Sequence, residues 1–233
     1  MDLLVNGKLK GIIFDLDGTL VDSVDSIWRA ADHVMRINGY RGVGRSNVVE
    51  VMGMTIFDLF LKVEPRLSQE EQIKLFEDYR RLYMDFISYT KLIPGTKETL
   101  VALSCKGLKM AVVTTKSREN AEKILSFFGL RGYFDSVVGF EDVVEHKPSK
   151  EPIVKAAKEL GLDATELMVV GDTEVDIRSG KEAGALTVAV KTGVTSIEKI
   201  LAESPDFLVE DISAIPGILE RYGLIERRRR EKN

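Results

Sequence analysis

At 233 residues, with 44% hydrophobic and 30% charged side chains, the chain has material for one large or two modest domains around a buried core. Its net charge of -4 argues against nucleic acid or an anionic membrane as partner, and no apolar run approaches the length of a membrane span. The single cysteine, Cys105, cannot close an internal disulfide, and the first residues, MDLLVNGKLKG, lack a basic-then-apolar leader pattern; both point to a reducing cytoplasm.

In chain order, the first predicted element is a strand at 10–14 inside "GIIFDLDGTLVDS". Strand side chains alternate in direction, so Asp15 and Asp17 project nearly the same way and each opposes the other's ionisation. Turn chemistry accounts for Asp17-Gly18 but not for an aspartate at the strand's end. From about 22 to 90 only helical periodicity is legible, and Ser68-Gln69-Glu70-Glu71 is a capping box opening a helix expected to run to about 88. Pro94-Gly95 closes that stretch. Helices at 96–106, 118–128, 151–160 and 175–183 then alternate with strands at 109–114, 167–171, 186–190 and 207–209. These strands lack polar alternation, as expected where helices cover both faces of a parallel sheet.

The predicted fold class is therefore α/β: a doubly wound parallel-sheet, Rossmann-like core carrying an inserted α-helical cap. The expected division gives the core 1–21 and 92–226 and the cap 22–91. The Arg-rich tail at 227–233 is expected to be solvated and frayed.

Reactive groups in such a sheet gather at the carboxyl ends of the strands. There the sequence delivers Asp15 and Asp17, then Thr114 followed by Thr115 and Lys116, then Asp172 with Asp176 four residues on. Lys147, in "EHKPSKEP", stands just before a predicted helix start. Singly, each has an ordinary role as a turn residue, a helix cap or a surface charge. Brought together, carboxylates from two strands need a cation, and Mg²⁺ suits an all-oxygen site that also admits phosphate. No Cys/His cluster has zinc spacing.

The set "DLDGT", "VVTT", "HKP" and "GDTEVD" resembles, in order and spacing, the four motifs of the haloacid dehalogenase-like phosphatases. The resemblance runs from about 11 to 211, and the wording of the motifs is similar to that of phosphoglycolate phosphatases and their close relatives. It implies that Asp15 attacks phosphorus, that Asp17 acts as general acid and then base, and that Thr114 and Lys147 bind the phosphoryl oxygens. It also implies Mg²⁺ held by Asp15, Asp172 and the Asp17 backbone carbonyl, with Asp176 in support. Four aspartates and Lys147 sum to -3, which one Mg²⁺ and one proton on Asp17 bring to zero, so that a phosphate can enter.

The implied partner is a small phosphorylated metabolite, phosphoglycolate first, with pyrophosphate, nucleotides and other small esters as alternatives; the protein would be a monomer or homodimer. Sugar-phosphate mutases of the same family carry an arginine in a cap stretch that corresponds here to Gly53-Met54-Thr55-Ile56, which favours hydrolysis. Receiver domains of signalling relays are a remote alternative, opposed by the Asp-x-Asp on one strand and by the inserted module. Cap closure would hinge at 21–23 and 91–95. Arg41 and Arg45, beside Gly42 and Gly44, are candidates to meet a substrate carboxylate; Thr115 is a further phosphate contact.

Overall fold

The apolar run behind Asp15 forms β1 (Gly11–Phe14), with all four residues buried. The computed structural model describes residues 9–225, so the Arg-rich tail lies outside the described residues. After β1, a two-residue strand β2 (Val21–Asp22) leads into helices α1 (Val24–Ile37), α2 (Arg45–Glu50), α3 (Ile56–Val63) and α4 (Gln69–Leu82). A tighter 3-10 segment at Tyr83–Tyr89 follows, and β3 (Lys91–Leu92) brings the chain back. Then come α5 (Thr96–Cys105), β4 (Lys109–Val113), α6 (Arg118–Phe127), β5 (Ser136–Val138), α7 (Glu151–Leu160) and β6 (Leu167–Gly171). The last elements are α8 (Glu174–Ala183), β7 (Leu186–Val190), α9 (Ile197–Ala202), β8 (Phe207–Val209) and α10 (Ile215–Arg221).

Six strands form one parallel sheet in the order β5-β4-β1-β6-β7-β8. Both faces are covered, which is why the strands read as unbroken apolar runs. Ile12, Phe14, Met110, Val112, Met168 and Val170 point into the larger core, with Leu100 of α5 and Ile124 of α6. Ile13, Ala111, Val113 and Val169 point into the opposite core, against Ile153 and Leu160 of α7. The α/β Rossmann-like class expected from the sequence is the one observed.

Three features depart from the expected elements. The helix opened by the Ser68 capping box ends at Leu82 rather than near 88, and continues as the 3-10 segment. β5 was not legible, nor were α9 and α10. The expected hinge segments pair as an antiparallel ribbon, Val21 with Leu92 and Asp22 with Lys91.

The register positions the site. Phe14 lies level with Val112 of β4 and Val170 of β6, so the residues after these three adjacent strands emerge side by side. Here the chain runs outward to β4 and β5 on one side and β6 to β8 on the other, which is where an open α/β sheet leaves a crevice.

Candidate active site

Asp15 leaves the end of β1, and Asp172 leaves the end of β6. Asp176 sits in the first turn of α8, whose N-cap is Thr173. Asp176 Oδ2 accepts from the Thr173 backbone N–H at 3.1 Å and its hydroxyl at 2.6 Å, which fixes the carboxylate at the positive end of the helix. Carboxylate oxygens of Asp15, Asp172 and Asp176 lie within 4.8 Å of one another, and all three residues are buried. Lys147 reaches this group from the loop before α7, donating to Asp15 Oδ1 at 2.6 Å and Asp176 Oδ1 at 2.5 Å.

Three carboxylates and one ammonium leave an excess of two negative charges in a buried site. Burial pushes the Asp15 carboxyl up to about 7, with Asp176 and Asp17 adding to the rise against the pull of Lys147. Asp172 is likewise raised, by burial first and by Asp15 and Asp176 next. Asp172 Oδ1 accepts from the Thr19 hydroxyl at 2.8 Å, whereas its buried Oδ2 has no hydrogen-bond partner. Two glycines wrap this carboxylate: a Cβ on Gly193 would fall 1.8 Å from Oδ2, and one on Gly18 2.3 Å from it. An orphaned oxygen, an oxygen-only donor set and a charge deficit of two fit a hard divalent cation.

Asp17 stands apart from this trio. Its Oδ1 accepts a short hydrogen bond from the Ser23 hydroxyl, and its Oδ2 faces Lys116 Nζ at 3.3 Å. Lys116 is itself buried, with its ammonium 4.4 Å from the centre of the Tyr83 ring. Burial is the largest single influence and works against its charge, but Asp17, Tyr83 and Tyr79 together outweigh it and its pKa is raised. Thr114, at the end of β4, is buried, accepts from the Lys116 backbone N–H at 3.1 Å and keeps its hydroxyl proton to donate.

Asp15, Asp17, Thr114, Thr115 and Lys116 line one side of a cleft whose other side is the helical segment 24–89, including Gly53, Met54, Thr55 and Ile56. Thr115 ties the two sides together, its hydroxyl donating to the Met54 carbonyl at 2.9 Å. Arg45 is not brought to this cleft. It pairs with Asp25 at 2.7 Å, both side chains about half exposed. Arg41 is turned to the Val63 carbonyl. Lys116 was visible in the sequence as the residue after two strand-end threonines, but nothing in the pattern distinguished it from a surface lysine. Ser23 gave no signal beyond its place at the end of the predicted hinge 21–23.

The family model for haloacid dehalogenase-like hydrolases matches residues 12–190, which takes in every one of these strand-end residues. The chain belongs to that family. Among its relatives are a phosphoglycolate phosphatase of Aquifex aeolicus, 35% identical over 92% of this chain and 98% of the relative. The pyrophosphatase PpaX of Halalkalibacterium halodurans is 31% identical over 93% and 98%. The crystal structure of a predicted phosphoglycolate phosphatase from Haemophilus somnus superposes with a TM-score of 0.82 at 26% identity, covering 90% of this chain and 97% of that one. This member of the haloacid dehalogenase-like hydrolases is thus an enzyme of the phosphatase type. No helix among its described residues is long and apolar enough to cross a membrane.

Proposed function

We propose that this hydrolase cleaves small phosphate monoesters through a covalent aspartyl-phosphate on Asp15, with Mg²⁺ as its metal. The observation that carries the reading is the buried trio Asp15, Asp172 and Asp176, bridged by Lys147 and standing beside the separately held Asp17. Asp15, Asp172 and the Asp17 backbone carbonyl would hold the ion, with Asp176 supporting them. When bound, the ion neutralises the carboxylates and the phosphoryl oxygens so that an anionic ester can approach an anionic nucleophile.

The chain's own groups supply the rest. A carboxylate oxygen of Asp15 attacks phosphorus and the bond from phosphorus to the ester oxygen breaks. Asp17 gives its proton to that oxygen, and an alcohol leaves. Asp17 then takes a proton from water, whose oxygen attacks the phosphorus, restoring the Asp15 carboxylate and releasing inorganic phosphate. Thr114 and Lys147 donate to the equatorial phosphoryl oxygens, where charge collects during transfer. Residues 22–91 act as a lid that bends at 21–23 and 91–95 and shuts water out of the cleft. Phosphoglycolate is our first candidate substrate on the wording of the motifs, and pyrophosphate the second, since relatives named for both activities are similarly close.

The test is release of inorganic phosphate from a panel of phosphorylated metabolites with Mg²⁺. Asp15→Asn is expected to lower kcat by at least about a thousandfold, as removal of a nucleophile does. Full activity in that variant, or undiminished cleavage after exhaustive chelation, would end the proposal.

A further inference from the structure

Lys116 has no part in the scheme above, yet it is the one basic side chain that lines the cleft among the described residues. Lys147 already donates to two carboxylates at 2.6 and 2.5 Å, and its third donor goes to the phosphoryl group in that scheme. An ammonium has three donors. That of Lys116 meets one carboxylate, Asp17, at 3.3 Å and the face of one ring, Tyr83, so that a donor is left for a third partner.

What that partner could be follows from where Asp17 must work. To protonate the leaving group, Asp17 has to come within hydrogen-bond reach of the ester oxygen. An ammonium 3.3 Å from the same carboxylate is then close to that oxygen as well. The wall opposite belongs to the helical segment and is mainly apolar, with Val48, Val51, Met52, Ile56 and Phe76, the hydroxyls of Thr55 and Tyr79, and no basic side chain. A hydroxyl-rich leaving group placed against it would lose more water than these two hydroxyls replace, that of Thr55 being already given to Asp58 at 2.6 Å, which sites of this kind penalise.

We propose that Lys116 determines leaving-group specificity: it pairs with a negative charge carried directly beyond the ester oxygen, and the apolar lid wall restricts the substrate to short acids and rejects sugars. This inference rests on the hydrolytic reading above and narrows it. Phosphoglycolate places a carboxylate one methylene beyond the ester oxygen, and pyrophosphate places its second phosphoryl group directly on it. A single ammonium therefore serves both.

The experiment compares kcat/KM, with Mg²⁺, for phosphoglycolate, for hydroxyethyl phosphate (the same skeleton with an alcohol in place of the carboxylate) and for a hexose phosphate. The unaltered enzyme is expected to prefer phosphoglycolate to hydroxyethyl phosphate by about tenfold or more, the usual return on a desolvated charge pair. The hexose phosphate is expected to be the poorest of the three. Lys116→Met should collapse the preference to within about threefold, whereas Lys116→Arg, which keeps the charge, should retain most of it. Taking the ratio of two esters removes whatever either variant does to Asp17. Equal use of the two esters by the unaltered enzyme needs no folded variant to be read, and it overturns the inference while leaving hydrolysis intact. So does a preference that survives in Lys116→Met. Hydrolysis of none of the esters would remove both readings together.

Discussion

At Asp172 one carboxylate oxygen is buried without a partner while glycines crowd it from two loops, Gly18 and Gly193. Neither glycine leaves room for a side chain of its own beside this oxygen. Gly193→Ala places a methyl group 1.8 Å from Asp172 Oδ2, so the carboxylate must turn away from the position it shares with Asp15 and Asp176. Displacing a ligand in this way costs metal affinity by roughly tenfold to a hundredfold. The expected outcome is a rise of that order in the Mg²⁺ concentration giving half-maximal activity, with folding retained by circular dichroism; an unchanged Mg²⁺ requirement would show that Asp172 does not hold the ion. The same carboxylates set a pH dependence. Asp15 is pushed from 3.8 to about 7, and Asp172 is raised as well, so the chelated folded protein keeps protons that the unfolded chain has already released. Its stability therefore falls as pH rises through that window, by an amount on the order of a few kcal/mol. A bound cation replaces those protons, so stabilisation by Mg²⁺ should grow from about pH 4 to about pH 7. Denaturant unfolding with and without chelator measures it, and a difference that stays flat across the window contradicts it.

Elements decide which of these residues a reader can find without coordinates. β1, β4, β6 and β7 are buried on both faces, so their apolar runs were legible, and their carboxyl ends named Asp15, Asp17, Thr114 and Asp172 before any contact was known. β2 and β3 have two residues each, too few for a period to emerge, and β5 offers only Val137 and Val138 after a serine, a shorter apolar run than the Phe-Leu-Val of β8. α9 spans six residues and α10 seven, which is less than two full helical turns of pattern. The early end of α4 has a tertiary cause. Tyr83, the first residue of the 3-10 segment, is wholly buried, its hydroxyl 2.9 Å from the hydroxyl of Ser26, which in turn accepts from Thr90 at 2.7 Å. That contact lies 57 residues away in sequence, where no local pattern reports it. The arginines show the same limit. A charge beside glycines marks a loop, but not the direction in which the loop faces, and Arg45 faces Asp25 rather than the cleft. Lys116 is the converse, a lysine whose burial over Tyr83 only the fold creates.

The helical segment and the sheet share one apolar core. Ala30, Val34, Leu59, Phe60 and Tyr79 of the segment belong to the same continuous cluster as Phe14, Met110 and Val170 of the strands. Aromatic rings continue the contact at the cleft's rim, with Phe57 and Phe76 each 5.4 Å from Phe140, which stacks in turn on His146 at 4.2 Å. The segment's two ends are also held side by side, by the β2–β3 ribbon and by the Ile93 N–H donating to the Leu20 carbonyl at 3.1 Å. Insertions joined through slender linkers and polar interfaces melt on their own. Here, unfolding residues 22–91 would expose the part of that cluster which the segment shares with the rest of the chain, and opening the sheet would break the same cluster from the other side. The two parts should therefore unfold as one unit. Scanning calorimetry of the full chain is expected to give a single transition whose calorimetric and van't Hoff enthalpies agree, with or without Mg²⁺. Two resolved transitions, the earlier one abolished by excising residues 22–91, would show that the segment is an independently stable lid and that the shared cluster contributes little between them.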